Sequence, residues 1–459
     1  MFAPVFRKLP VLGFYFMTAC SVTEPNFAPP VSLPETFSIS GSAATPDKWW
    51  QSFNDPALND LVEKALDQNL DLKATFDRLE QAKSIATRTG AELIPSVSGL
   101  SGINNVNRNG PDLTSSMNDF SLALAASYEV DLWGRIRAGF KAAELDVQSA
   151  EQDIHTAAIA LTAEIAGIWY QLTEQQKLYS LLSEQIKINE QYADLVNVRF
   201  RGGQATAADV YQQMQLLEGV IGDRFAVMAF ISVLQNQLAV LSGQAPGQFK
   251  IKASEEFPDI NGLPTTGLTS EFIQRRPDIK KAYFRLQAAD LRVASAVADR
   301  FPKISLAAGI TTTAPDLQSF FNNWMSTLAG NLVIPIIDGS RRVAEVDRNK
   351  ALTAEAFNLY GQRILQSIKE VENALAQETQ QHQRLESLEK QLKYLTDANA
   401  DISIRSAYGA FDFLRILSTL NSLQSMQRTM LRAKKELVDY RINLYRSLAG
   451  GWSVPHSQS

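Results

Sequence analysis

Three histidines, His155, His382 and His456, and one cysteine, Cys20, carry the most reactive chemistry in this sequence. A zinc site would gather such ligands at short spacing, and a nucleophilic enzyme would set a base beside its thiol or hydroxyl. Neither pattern occurs. His155 and His382 stand alone among Gln, Asp and Arg neighbours, which reads as solvated surface histidine. There is no Gly-x-x-x-x-Gly-Lys-Ser/Thr loop to cradle phosphates and no Gly-x-Ser-x-Gly elbow to expose a serine. The sequence therefore predicts no enzyme, no metal site and no cofactor.

Cys20 fits a different chemistry, acylation. Arg7 and Lys8 precede an apolar run from Leu9 to Met17, too short to span a bilayer, so residues 1–19 read as a signal peptide. Ala19 before the lone cysteine resembles the cleavage box of bacterial lipoproteins, whose cysteine becomes the lipidated N-terminus. In that pattern Ser21, rather than Asp, implies sorting to the outer membrane. An ordinary signal with an incidental cysteine is the plainer alternative. Residues 20–47, with Pro25, Pro29, Pro30, Pro34 and Pro46, read as anchor and extended tether.

With 459 residues, 45% hydrophobic and 20% charged, the chain can bury a large core. The net charge of -5, with Lys and Arg dispersed, argues against nucleic acid as a partner. The body is written twice, about 207 positions apart: Leu79 answers Leu286, Pro95 answers Pro302, Gly134 answers Gly339 and Gly203 answers Gly409. The repeats are placed at 48–258 and 259–452, each expected to hold a helix, two strands and a long helical hairpin, with 453–459 a tail.

Proline is absent between Pro111 and Pro246, and between Pro335 and Pro455, which leaves room for long helices. Heptad spacing supports them: Leu161, Ile165, Ile168 and Leu172 in the first repeat, Leu385, Leu388, Leu392 and Leu395 in the second. A helix from about Arg135 to Arg199 would be on the order of 100 Å long. The pair Gly202-Gly203, and Gly409, then permit the turn of each hairpin.

Ahead of each hairpin the period becomes two. Phe120, Leu122 and Leu124 alternate with Ser121, Ala123 and Ala125, and Ile304, Leu306 and Ile310 alternate with Ser305, Ala307 and Thr311. Partner strands are expected near Ser96–Val106 and Trp324–Ile334, joined through polar connections at Asn107–Asn118 and Thr313–Asn323. Four strands cannot close a barrel, and an open edge in lipid leaves backbone groups unpaired, so any barrel must be shared between chains.

The junction Tyr128-Glu129-Val130-Asp131-Leu132-Trp133-Gly134-Arg135-Ile136-Arg137 and its counterpart Pro335-Ile336-Ile337-Asp338-Gly339-Ser340-Arg341-Arg342 closely resemble the repeated strand-to-helix junctions of bacterial outer membrane efflux proteins. Three further segments agree: Trp49-Trp50-Gln51-Ser52-Phe53-Asn54-Asp55-Pro56-Ala57-Leu58, Arg275-Arg276-Pro277-Asp278-Ile279 and Asn443-Leu444-Tyr445-Arg446-Ser447-Leu448-Ala449-Gly450-Gly451-Trp452. The sequence looks like the lipid-anchored, nodulation-type branch of the outer membrane factor family. The resemblance implies an α+β membrane protein: a homotrimer with a shared β-barrel in outer-membrane lipid and a long α-helical coiled-coil tunnel across the periplasm. It implies the exit duct of a tripartite pump, docked to a periplasmic adaptor and an inner-membrane transporter, passing small toxic compounds without chemistry of its own. Two alternatives stay open, a duct for a secreted polypeptide and a lipid-anchored coiled-coil scaffold without a pore.

The resemblance also suggests where function lies. Gly134, Arg135, Gly339 and Arg341 mark the strand-to-helix junctions. Arg201, Gly202, Gly203 and Ala205, with Tyr408, Gly409 and Ala410, are the hairpin tips expected to meet the adaptor. Some relatives close the periplasmic aperture with carboxylates at the sixth and ninth positions after the second tip glycine, where this chain has Arg415 and Ser418. Asp412 pairing with Arg415 or Arg405 is the expected substitute; a solvated tip is the plain alternative, since an exposed pair contributes only ~0–1 kcal/mol.

Overall fold

The computed structural model describes residues 26–43, 47–110, 113–247, 249–316, 318–407 and 413–448. Helices α1 (Pro56–Gln68) and α2 (Leu70–Gly90) lead to strands β1 (Ser96–Gly110) and β2 (Leu113–Val130), then to α3 (Arg135–Arg201) and α4 (Ala207–Leu241). The order repeats as α5 (Thr269–Arg275), α6 (Pro277–Ala298), β3 (Lys303–Ala314), β4 (Trp324–Val333), α7 (Arg341–Ala407) and α8 (Phe413–Leu448). The duplication read from sequence reappears in element lengths. Both α3 and α7 have 67 residues, and α4 and α8 have 35 and 36.

Two compact units form, and each draws on both repeats: Lys83–Asp146 joins Arg285–Ala356 in one, and Pro29–Ala82, Val147–Phe284 and the chain from Phe357 make the other. In the first unit the strands make one antiparallel sheet in the order β1-β2-β3-β4. Its ladder extends further than the residue pattern suggests. The connection expected at 107–118 is mostly strand, with Asn107 opposite Ser116 and Gly110 opposite Leu113. Backbone hydrogen bonding serves polar residues as well as apolar ones, so composition misplaced the turn.

The register sets Leu124 opposite Ile310 and Ala308 opposite Leu328, which gathers the apolar side chains on one face. That face is uncovered within the chain: Leu124 is 55% exposed, Ile310 53% and Leu328 85%. The small residues Ala123, Ala125, Ala307 and Gly309 occupy the other face. A sheet that presents its large apolar side chains outward is built for a lipid solvent. Among the described residues no helix is long and apolar enough to cross a membrane.

The second unit holds the main core. Trp49, Trp50, Leu58, Trp169 and Leu172 are fully buried there. The rings of Trp49 and Tyr445 stack with centroids 5.8 Å apart, and Phe53 meets Tyr170 edge-on at 5.4 Å. The Trp49–Phe53 segment is therefore a structural plug. The α3 seam is covered at Leu161, Ile165 and Leu172, whereas the α7 seam is buried at Leu385 and Leu388 and only half-buried at Leu392 and Leu395. The tether described from residue 26 is extended but docked. Pro30 packs on Gly361 so closely that a Cβ there would lie 2.5 Å from Pro30 Cγ, and the Ser38 N–H donates to Glu372 at 2.9 Å.

Candidate functional site: strand-to-helix junctions and hairpin turns

Each junction must turn a chain leaving a strand into a helix, and each does so with one aspartate and one glycine. At the first, Gly134 adopts φ 77°, a left-handed conformation that costs other residues energy. Asp131 then caps α3, its carboxylate accepting from the Ile136 and Arg137 amides at 3.0 and 2.9 Å and from Arg137 Nε at 3.1 Å. Arg135 reaches back to Glu129 at 3.0 Å. Trp133 donates its indole N–H to the Pro302 carbonyl at 2.7 Å and stacks on Phe301 with centroids 4.9 Å apart. This half-exposed pair sits where the strands end, the level at which aromatic rings girdle membrane barrels.

The second junction uses Gly339 at φ 62° and Asp338, which accepts from Arg342 Nη1 at 3.0 Å. The Arg342 guanidinium holds the Asp338 carboxyl below the usual carboxylate range. Arg342 also reaches Asp299 at 3.1 Å, and Lys303 meets the same carboxylate at 2.6 Å. Arg341 opens α7 and is exposed, so the anchoring guanidinium is its neighbour. The caps Asp131 and Asp338 escaped the sequence reading, although an aspartate just ahead of a predicted helix is an ordinary N-terminal signal.

The first hairpin turn is equally specified. Gly203, at φ 69°, donates to the Phe200 carbonyl at 3.0 Å while Gln204 donates to Arg199 at 2.8 Å, the hydrogen-bond pair that terminates a helix on a left-handed residue. Arg201 ends α3, and Gly202 and Ala205 lie in the five-residue connection. Thr206 and Asp209 then cap α4 reciprocally, with Thr206 N donating to Asp209 at 2.7 Å and Asp209 N to Thr206 at 3.3 Å. Such a turn presents a fixed surface.

Of the aperture residues, Arg405 is held by Asp401 of its own helix at 2.9 Å, and Arg415 lies in the first turn of α8. Asp412, Tyr408, Gly409 and Ala410 lie outside the described residues, as do Cys20 and His456. His155 and His382 are half-buried rather than solvated, on α3 and α7 respectively. No group of three His, Cys, Asp or Glu suited to a metal occurs among the described residues.

The remaining sequence landmark, Arg275 to Ile279, forms a charged knot in the second unit. Arg276, 6% exposed, binds Asp278 at 2.6 Å, Glu370 at 2.8 Å and the Ser447 carbonyl at 3.1 Å, and Arg363 shares the Asp278 carboxylate. Burial opposes charge on Asp278, but the bonds and charges of Arg276 and Arg363 outweigh it and lower its pKa. The knot joins the α5–α6 break to α7 and to the end of α8.

The residues of these junctions and hairpin turns fall within a match to the family model described as outer membrane efflux protein, over 61–221 and 268–450. The chain belongs to the outer membrane efflux protein family. It is an outer-membrane exit duct that extends into the periplasm. This outer membrane efflux protein is 31% identical over 423 residues to the pyoverdine export outer membrane protein OpmQ of Pseudomonas aeruginosa, covering 88% of this chain and 87% of that one. It is 26% identical to nodulation protein T of Rhizobium leguminosarum bv. viciae, over 96% and 92% of the two chains. The probable outer membrane lipoprotein SilC of Salmonella typhimurium is also 26% identical, over 97% and 99%. Among solved structures, the outer-membrane channel OprN superposes with a TM-score of 0.86 at 26% identity, over 94% of this chain and 100% of that one. The open-state channel MtrE of Neisseria gonorrhoeae has the same fold, with a TM-score of 0.83 at 23% identity and coverage of 94% and 98%.

Proposed function

We propose that three copies of this chain assemble into the outer-membrane duct of a tripartite pump. The observation that carries the reading is the four-stranded sheet, whose outer strands β1 and β4 each have one unpaired edge and whose apolar face is uncovered. Open edges in lipid are costly, and three such sheets would close into a barrel of twelve strands wide enough to hold water. Helix α4 supports the same assembly. Its apolar side chains are not confined to one face, and Tyr211, Met214, Phe225 and Val240 lie exposed on it at 72%, 49%, 60% and 59%, surface that a neighbouring copy would cover.

Passive conduction requires no catalytic group, and the duct takes its energy from an inner-membrane transporter through a periplasmic adaptor that docks at the hairpin tips. The cargo is a small molecule; relatives named for pyoverdine export, antibiotic efflux and toluene efflux support that class over a polypeptide. Cys20 carries the lipid anchor, and Arg405, Asp412 and Arg415 ring the closed aperture. Purified protein in planar bilayers tests the reading: discrete ion-conducting channels from a heat-labile trimer are expected. A protein that runs as a monomer and never conducts is a scaffold, and the duct reading fails.

A further inference from the structure

Deep in the helical hairpins a polar layer interrupts the apolar seam. Helix α3 supplies Gln185 and Asn189, α4 supplies Gln213, and α8 supplies Gln424; these four amides are 1%, 2%, 0% and 4% exposed. Gln185 Nε2 donates to the Gln424 carbonyl at 3.2 Å and to Gln427 at 3.0 Å. Asn189 Nδ2 donates to the Gln185 carbonyl at 2.8 Å and to Gln424 Oε1 at 3.1 Å. Gln213 Nε2 donates to the Asn189 carbonyl at 2.9 Å. Arg428 borders the layer, donating to Gln185 Oε1 at 2.9 Å and pairing with Asp223 of α4 at 2.7 Å.

The layer is incompletely satisfied, and its own geometry imposes this. The Gln185 carbonyl fixes which way the Asn189 amide faces, and Gln424 must therefore turn its oxygen toward Asn189. That leaves Gln424 Nε2 buried without a partner. Gln213 in turn must give its nitrogen to the two oxygens of Asn189, which leaves Gln213 Oε1 buried without a partner. Turning either glutamine amide over would set like atoms against each other. A stranded donor and a stranded acceptor thus lie on either side of one asparagine, at a cost an apolar layer would not carry.

The core is divided at this place. Toward the hairpin turns, Val196, Ile402, Ile416 and Leu417 form one apolar cluster; on the other side, Leu182, Ile186, Val220 and Val227 form a separate one. The duplication does not reproduce the layer. The positions that answer Asn189 and Gln213 in the second repeat are Leu395 and Thr419, and Gln391, which answers Gln185, is exposed. Among the described residues the layer therefore belongs to the α3–α4–α8 contact.

We infer that this amide layer is the parting line of the hairpins, at which α8 shifts against α3 and α4 by exchanging side-chain hydrogen bonds when the helical end of the duct opens. The inference rests on the duct reading and deepens it. Glutamine and asparagine each offer donors and an acceptor, so a displaced α8 can re-form as many bonds as it breaks, including the two now stranded. An interlocked aliphatic layer would oppose the same shift.

The test compares the trimer in planar bilayers with two variants. In the first, Gln185→Leu, Asn189→Leu, Gln213→Leu and Gln424→Leu together make the layer apolar. Its thermal midpoint should hold or rise while open time falls by roughly tenfold, as expected when one state of a two-state equilibrium is favoured. In the second, Asn189→Cys with Gln424→Cys ties α3 to α8 when oxidised; conductance should be low and recover on reduction. The inference is overturned if the apolar trimer conducts like the parent, or if an oxidised pair, with its bond verified by gel mobility, conducts as freely as the reduced one. If the apolar variant does not fold, the cysteine pair decides; if no bond forms, the apolar variant does. A parent protein that never conducts would instead defeat the duct reading itself.

Discussion

Arg276 and Asp278 face each other across the break between α5 and α6, joined by hydrogen bonds of 2.9 and 2.6 Å. Arg276 is buried and Asp278 nearly so, while Glu370 and Arg363 complete the knot from half-buried positions, so removing Arg276 leaves the Asp278 carboxylate in the interior with only the Arg363 guanidinium to balance it. Arg276→Ala should cost about 3–5 kcal/mol, the usual penalty for breaking a buried ion pair by removing one partner. The pH dependence has a definite sign. The folded carboxyl of Asp278 titrates below its unfolded counterpart, so the stabilisation is complete above about pH 4 and lost as pH falls through the folded value. Unfolding midpoints across that range should fall with pH in the parent and less so in Asp278→Asn.

Trp169→Phe should remove the indole donor that reaches Asp55 at 2.8 Å while leaving that carboxylate buried at the head of α1. The expected loss is about 1–3 kcal/mol, with trimer assembly intact. Denaturant unfolding measures it. Asp55→Ala should cost more, because the same side chain also accepts the Leu58 amide at 3.2 Å as a helix cap.

Mass spectrometry of the mature N-terminus should find an acylated Cys20. In Cys20→Ser the lipid should vanish and barrel insertion persist, since the tether from residue 26 is already held to the body by contacts such as Ser38 with Glu372. A native N-terminus without lipid would remove the anchor from the account.

A charged residue inserted at Ala205 or Ala410 should abolish export and leave trimers intact on a gel. At the first turn, the insertion separates the Gly203 terminator from the Thr206–Asp209 cap and displaces the surface proposed to meet the adaptor. Unchanged resistance and unchanged adaptor crosslinking would contradict the docking role.

At the aperture, Asp412→Ala and Arg415→Ala should each raise single-channel conductance, and the charge-swapped double variant should return it toward the parent. Each exposed pair contributes only ~0–1 kcal/mol and salt screens it, so the effect should shrink at high ionic strength. Parental conductance in both single variants would locate closure elsewhere on the hairpins.

Periodicity carried most of this architecture in the sequence. Alternation marked β2 and β3, with β1 and β4 expected beside them, and heptads marked the long helices, because both patterns report which side of a local element meets an apolar surface. Gly203 was legible as a turn, and Gly134 and Gly339 as repeated landmarks of the junctions; all three adopt a left-handed backbone that other side chains resist. The Cys20-Ser21 pair supplied the outer-membrane address and the four-strand count a barrel shared between chains; the family resemblance added the duct of a tripartite pump.

What a linear reading could not supply was pairing between distant residues. Nothing local in Gln185, Asn189, Gln213 and Gln424 marks them as one layer, since amides at these spacings read as ordinary helix surface until α8 is laid against α3. Asp55 with Trp169, and Arg276 with Glu370, are separated by 114 and 94 positions, and only the packed chain brings them within a hydrogen bond. The sequence alone set which elements form, through local sterics and hydrophobic period. Tertiary structure decided which polar groups are buried together, because desolvation depends on what the rest of the chain places around them.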